Sequence, residues 1–272
     1  MANKIISNKP YTFKEYFDKI RKSRYLIKTL ILREFKVKYS RTFIGLGWVF
    51  IQPIVVVAIY TIFFKNFIHL DTQDIPYPHF VLSGLALWYL FTGVVSKATY
   101  SLLESADLIH KISFPKIIAI ISKTVPVILE CLVLLILAFL VVLFTTGAVG
   151  FNAVTIIFYF IEILLFSVSI GMICSILSLK YRDLAHAIPF LINFGIWLTP
   201  VFYPVTVIPP GLYPFFKFGN PLVLAIEGLR GALFRNAGIS MESLILFACT
   251  CLLFTFSFLI FVKFEKRITE TL

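Results

Sequence analysis

Glu130 and Glu162 stand inside long apolar runs. A carboxyl group is costly to keep at membrane depth, so each is a candidate for function. Such groups could relay protons or serve an intramembrane glycosyl- or acyltransferase. The alternative is a hydrogen bond or ion pair between spans, for instance with Lys123. The four histidines, His69, His79, His110 and His186, are scattered near the edges of apolar segments. Cys131, Cys174, Cys249 and Cys251 lie within them, without the spacing of a zinc site or a disulfide framework, and read as small apolar fillers. No GxxxxGK[ST] loop, HExxH helix or GxSxG elbow is present. The expectation is therefore no catalytic residue, no metal site and no cofactor on this chain, with energy for any active transport drawn from another chain or an ion gradient.

Aromatic residues offer a different chemistry. They make up 17% of the chain, 30 of them Phe. Phe190, Phe194 and Trp197 recur at i, i+4 and i+7, which places them on one helix face. Trp48, Tyr60, Trp88, Tyr89 and Phe91 flank two apolar spans, while Tyr203, Tyr213, Phe215 and Phe216 crowd a proline-rich stretch. One reading is an interfacial belt with lipid-facing filler. The other is a path for a sugar chain, because the C–H faces of pyranose rings pack on aromatic faces without fixing register. The candidate channel residues are Trp48, Tyr60, Trp88, Phe190, Phe194, Trp197, Tyr203, Tyr213 and Phe215.

What must position these groups is a membrane scaffold. Hydrophobic residues make up 59% of the 272, charged residues only 14%, and the mean hydropathy is +0.93. So few charges could not cover a soluble fold of this size, whereas lipid-facing positions need no cover. The net charge of +11 does not point to nucleic acid, because 12 of the 25 Lys and Arg fall within residues 1–41, directly before the first apolar span. That placement fits the positive-inside bias and attraction to anionic lipid. The polar, basic start shows no cleavable signal.

The expected fold is all-α: six transmembrane helices, an N-terminal amphipathic interface helix, and re-entrant half-helices before the last span. Residues 1–42 form the cytoplasmic N-terminal region, with a capping box of Thr12 and Glu15 opening an amphipathic helix over 10–35. The transmembrane domain covers 43–262, with spans at about 43–64, 79–100, 117–145, 153–179, 187–203 and 243–262. Residues 65–78, with Asp71 and Asp74, form an external loop, and 101–116 a short polar connection that opens its own helix near Ser105. Five prolines between 204 and 238 rule out one continuous helix, and the stretch is too apolar for an open loop, hence half-helices dipping back into the outer leaflet. Residues 263–272 form a cytoplasmic tail. On this topology the inner segments carry 19 Lys and Arg and the outer ones four, which sets both termini inside.

Motifs along the chain then converge. Tyr181-Arg182-Asp183 leads into an apolar helix ending at Thr199-Pro200 and Tyr203-Pro204; Asn220-Pro221 precedes Glu227 and Arg230; LILREFKVKYSRTFIGLGWVFIQP occupies 30–53. The combination resembles the Wzm/TagG group of ABC-2 permeases, which export lipid-linked O antigens, teichoic acids and related polysaccharides. The resemblance implies a homodimer in the cell inner (plasma) membrane with a polymer channel at the subunit interface. It implies two copies of an ABC ATPase carrying ATP and Mg, and an undecaprenyl-linked polysaccharide substrate. It also assigns an interface helix with Phe13, Phe17, Ile20 and Arg24, and an ATPase-coupling segment Glu104, Ser105, Ala106, Asp107, Leu108, Ile109, His110, Lys111 and Ile112. Tyr181, Arg182, Asp183, Pro200, Asn220, Pro221, Glu227 and Arg230 are its structural motif. Export of a small drug or lipid is the alternative within the same fold.

Overall fold

The computed structural model describes residues 13–40, 42–67, 70, 72, 75–146 and 151–271. Thr12, Asp71, Asp74 and the turn at 147–150 lie outside them, so the capping box and the external acids do too.

Among the described residues the regular structure is all helical, joined by turns and short irregular links. Two short basic helices, α1 (Phe13–Lys22) and α2 (Arg24–Tyr39), open the chain where one amphipathic helix was expected. Ser23 breaks them apart at φ −87°, ψ 12°. Gly45 then turns the chain into the membrane at φ +60°, which a residue with a side chain rarely adopts. A 3-10 turn, Gly45–Gly47, runs into α3 (Trp48–Tyr60) and a π-helical stretch, Thr61–Phe67.

The centre of the molecule is α4 (Tyr77–Glu104), which packs on α6 (Ile117–Thr146), α7 (Ala153–Lys180), α8 (Arg182–Phe194) and α10 (Pro221–Phe234). Most of its membrane stretch is buried, whereas α3 buries only Pro53 fully and packs Val56, Val57 and Tyr60 on the core. Burial of Leu85, Leu87, Leu90, Val94, Val95 and Leu102 around the whole circumference explains why α4 carries no amphipathic stripe: every face meets protein. The last long helix, α11 (Met241–Thr271), packs on α7.

Among the described residues five helices are long and apolar enough to cross a bilayer: Gly45–Phe64, Tyr77–Glu104, Ile117–Phe144, Ala153–Lys180 and Met241–Glu265. The stretch expected to cross at 187–203 differs. It is α8 continued by a 3-10 turn, Gly195–Leu198, and an irregular end. Helix over 182–198 alone is shorter than the ~20 residues of a standard span. Its contacts nonetheless follow α4 from end to end. His186 Nδ1 lies 3.0 Å from Tyr100 Oη, a Cβ on Gly195 would meet Trp88 at 3.2 Å, and Tyr77 Oη donates to the Phe202 carbonyl at 2.9 Å. Tyr77 to Tyr100 covers about 35 Å of helix at ~1.5 Å per residue. Residues 199–203 continue along α4 as turns and bends, with Pro200 preventing further helix.

The proline-rich stretch is two short helices, α9 (Tyr213–Gly219) and α10, broken at Asn220. Asn220 Oδ1 accepts from the Leu222 N–H at 3.1 Å and Pro221 occupies the first helical position, so this break is also a well-capped start. α10 lies against the outer part of α7, where Gly228 presses directly on the Tyr159 ring and leaves no room for a Cβ.

Candidate functional site

Two regions gather the predicted residues, one at each end of the bundle. At the end where α4 stops, Glu104 gives way to a six-residue helix, α5 (Ala106–Lys111). So short a helix has no stability of its own. It is held by Ile109 and Phe114, which are buried with Leu30, Ile118, Phe261 and Ile268 in a second apolar cluster. Asp107 in the first turn and His110 and Lys111 in the last complement the helix dipole. Asp107, His110, Lys111 and Ile112 are exposed, while Ser105, Ala106 and Leu108 are half-buried. Glu104 is exposed as well, yet its carboxylate is also paired across the bundle, 2.5 Å from Lys123 Nζ.

The N-terminal helices dock at the same end. Phe17 and Arg24 are exposed and Ile20 is half-buried, while nothing is described of the Phe13 side chain. The anchor is Tyr16, only 2% exposed, whose hydroxyl donates to Glu265 Oε2 at 2.5 Å. The other oxygen, Glu265 Oε1, accepts from the Lys116 N–H at 2.8 Å. Burial and the adjacent carboxylate push the Tyr16 phenol well above its ordinary value, so it remains a donor. Tyr16 and Ile20 stand at i, i+4, a signal available in the sequence but overshadowed by the Phe stripe beside it.

The pairing of Glu130 differs from the expected one. Its carboxylate accepts from Lys38 Nζ at 2.7 and 2.6 Å and from the Tyr39 hydroxyl. Burial and the Glu130 charge raise the Tyr39 phenol as well. Lys123, taken from sequence as a possible partner of Glu130, instead bonds Glu34 and Glu104. Register explains it: Glu34 and Lys38, one turn apart on α2, meet Lys123 and Glu130 on α6. Glu162 is fully buried, with neither carboxylate oxygen hydrogen-bonded among the described residues.

At the opposite end the motif residues converge. Arg230 is 2% exposed; Nη1 donates to Glu227 Oε1 at 2.6 Å, and Nη2 donates to the carbonyls of Phe80 at 3.1 Å and Val201 at 2.9 Å. Its guanidinium carbon sits 3.3 Å from the Phe80 ring centroid. One side chain thus joins α10, α4 and the irregular end of the α8 crossing. Asn220 Nδ2 donates to Thr199 Oγ1 at 2.8 Å beside the buried Pro200. Tyr181, Arg182 and Asp183 are not part of this cluster. They form the exposed turn between α7 and α8 at the other end, with Lys180 Nζ 5.0 Å from the Tyr181 ring centroid.

The candidate channel residues divide. Phe190, Phe194 and Trp197 share an exposed face of the α8 crossing, with Phe190 and Phe194 edge to face at 4.9 Å. Trp48 is exposed on α3 and Phe215 on α9, while Tyr213 is half-buried and stacks toward Lys217. Tyr60 stacks on Phe202 with centroids 3.6 Å apart, and Trp197 reaches Phe202 at 6.0 Å. Tyr203 donates its hydroxyl to the Trp197 carbonyl. Trp88 is a correction: at 3% exposed it is packed against Gly195 inside the protomer and lines no open surface. Phe202 was passed over, although it joins α3 to the α8 crossing, because nothing in its local pattern separates it from the twenty-nine other Phe.

Residues 25–234 match the family model described as ABC-2 type transporter. The chain belongs to this family. The match begins in α2 and ends with α10, so the ABC-2 transporter region includes both α5 and the Arg230 cluster. This ABC-2 transporter chain is 26% identical over 258 residues to an O-antigen export system permease protein RfbA of Klebsiella pneumoniae, covering 91% of this chain and 96% of the relative. It is 26% identical over 190 residues to the protein of the same name from Myxococcus xanthus, covering 68% and 70%. To the polysialic acid transport protein KpsM of Escherichia coli it is 22% identical over 233 residues, covering 83% and 89%.

Proposed function

We propose that the chain is the membrane subunit of an ATP-driven exporter. It carries a lipid-linked polysaccharide, an O antigen or related surface glycan, out of the cytoplasm across the inner membrane. It works as a homodimer with two copies of a separate ABC ATPase, which holds ATP and Mg, and its substrate is carried on an undecaprenyl-type lipid. Both termini face the cytoplasm. The observation that carries this reading is the joint placement of two surfaces: an exposed α5 at one end, and a continuous exposed face of Phe190, Phe194 and Trp197 leading from that half toward the other. The first suits a soluble ATPase. The second suits a polymer that must slide, since ring stacking tolerates any register. The export permeases named above support polysaccharide as the cargo.

The export of a small drug or lipid would use the same elements and is separated only by cargo. An intramembrane transferase is disfavoured by the site itself. Glu130 is occupied by Lys38 and Tyr39, and neither oxygen of Glu162 is hydrogen-bonded to a group that would orient it among the described residues. Reconstitution with the cognate ATPase tests the proposal. Long-chain glycolipid should stimulate ATP hydrolysis and reach the far leaflet, and a preparation in which only small lipids or drugs do so would overturn it.

A further inference from the structure

We propose that Lys123 is the positioning residue through which movement of α5 reaches α6, with α2 acting as a splint across a proline hinge. This rests on the reading that α5 receives an ATPase. Lys123 lies seven residues into α6, with its side chain 13% exposed, at a depth where a cation is costly unless it is paired. Its ammonium lies 2.5 Å from Glu104 and 3.0 Å from Glu34. Glu104 is the last residue of α4, directly before the Ser105 break that starts α5. Glu34 belongs to α2. A single side chain therefore ties three elements, and without it two carboxylates would face one another in a partly dry site.

Three residues further along α6 is Pro126. It has no N–H for the carbonyl of Ser122, so α6 lacks a rung there and can bend at low cost. On the far side of that rung Glu130 is held by Lys38 and Tyr39 of the same α2. The two staples alternate in sign: Glu34 to Lys123 before the proline, Lys38 to Glu130 after it. A straight α2 fastened at both points keeps α6 straight. Displacing α5 draws Glu104 away from Lys123, shifts the ammonium's balance between its two carboxylates, and loosens one end of the splint. The released hinge then lets the outer part of α6 move relative to α4.

Lys123→Met, Lys123→Arg, Lys123→Glu and the reversal Lys123→Glu with Glu104→Lys would be compared in the full complex. The expected result for Lys123→Met is that the ATPase still co-purifies and hydrolyses ATP, while glycolipid exported per ATP falls at least about tenfold. Lys123→Arg should keep most export, and the reversal should recover several-fold over Lys123→Glu alone. Spin labels at the exposed Lys36 and His110, in a background without the native cysteines, read the splint in the permease alone. Their distance distribution should be narrow in the parent and broad in Lys123→Met. An unchanged export ratio in Lys123→Met, a reversal no better than Lys123→Glu, or an unchanged distance distribution would each overturn the role of Lys123. If the parent complex itself exports no glycolipid, the functional reading fails instead, and the spin-label comparison still decides whether Lys123 holds α2 to α5.

Discussion

Arg230 concentrates the problem of reading chemistry from a membrane sequence. Its spacing from Glu227, i to i+3 on one helix, was legible, and so was its place in a motif. The carbonyls of Phe80 and Val201 that complete its shell were not, because backbone acceptors carry no residue identity and lie 150 and 29 positions away. The ion pair is only part of its work: Glu227 is partly exposed, whereas the guanidinium is not. Methionine at this position would keep the volume and strand both carbonyls without a donor. Loss of such a buried pair costs about 3 kcal/mol or more, so Arg230→Met should lower the midpoint of thermal unfolding in detergent by several degrees. Glu227→Gln, which keeps an acceptor oxygen for Nη1 and leaves both carbonyl bonds of Nη2 in place, should lower it much less. Equal shifts in the two would show that the pair, and not the carbonyl clamp, holds α10.

The helices that were hardest to read are those whose boundaries are set by tertiary contact. Long apolar runs announce themselves, and all five long spans begin within two residues of where hydropathy places them. The helix of α8 is short because turns and bends at 199–203 carry the chain on against α4, a contact that no local pattern encodes. The amphipathic N-terminus was legible as basic and interfacial, yet its anchoring by Tyr16 depends on α11, some 250 residues away. The same logic sharpens α5. Glu104 and Asp107 look equivalent in sequence, one turn apart and both acidic, and both are exposed, but Glu104 is paired with Lys123 of α6 while Asp107 stands in the first turn of α5. Asp107→Lys should therefore reduce ATPase co-purification while leaving thermal stability within about 0.5 kcal/mol, the range for exposed sites. Ile109→Ala should do the opposite first, costing about 2–4 kcal/mol by emptying a buried site. If Asp107→Lys retains the ATPase fully, the docking contact lies on other exposed residues of this end.

At the scale of the whole molecule, burial is distributed unevenly. α4 is enclosed along most of its length, while α3 exposes Ile51, Ile54, Val55 and Ile59, and the α8 crossing exposes Phe190, Leu191, Phe194, Trp197 and Leu198. Hydropathy could not reveal this difference, because lipid and protein are equally apolar neighbours for a side chain. The two exposed helices meet at Tyr60 and Phe202, so their free faces join at one edge of the protomer. α11 is also exposed, at Leu252 and Phe256, but it sits on α7, away from that edge. A two-fold dimer closed through α3 and the α8 crossing would set two aromatic faces opposite one another and leave α11 to lipid. Single cysteines separate the two environments once Cys131, Cys174, Cys249 and Cys251 have been replaced. In native membranes Ile54→Cys or Phe194→Cys should give an oxidant-dependent dimer band, and Leu252→Cys should stay monomeric. Crosslinking at Leu252 with none at 54 or 194 would move the interface to α11. The aromatic face of the α8 crossing would then look onto lipid, and a path for sugar would have to be sought elsewhere.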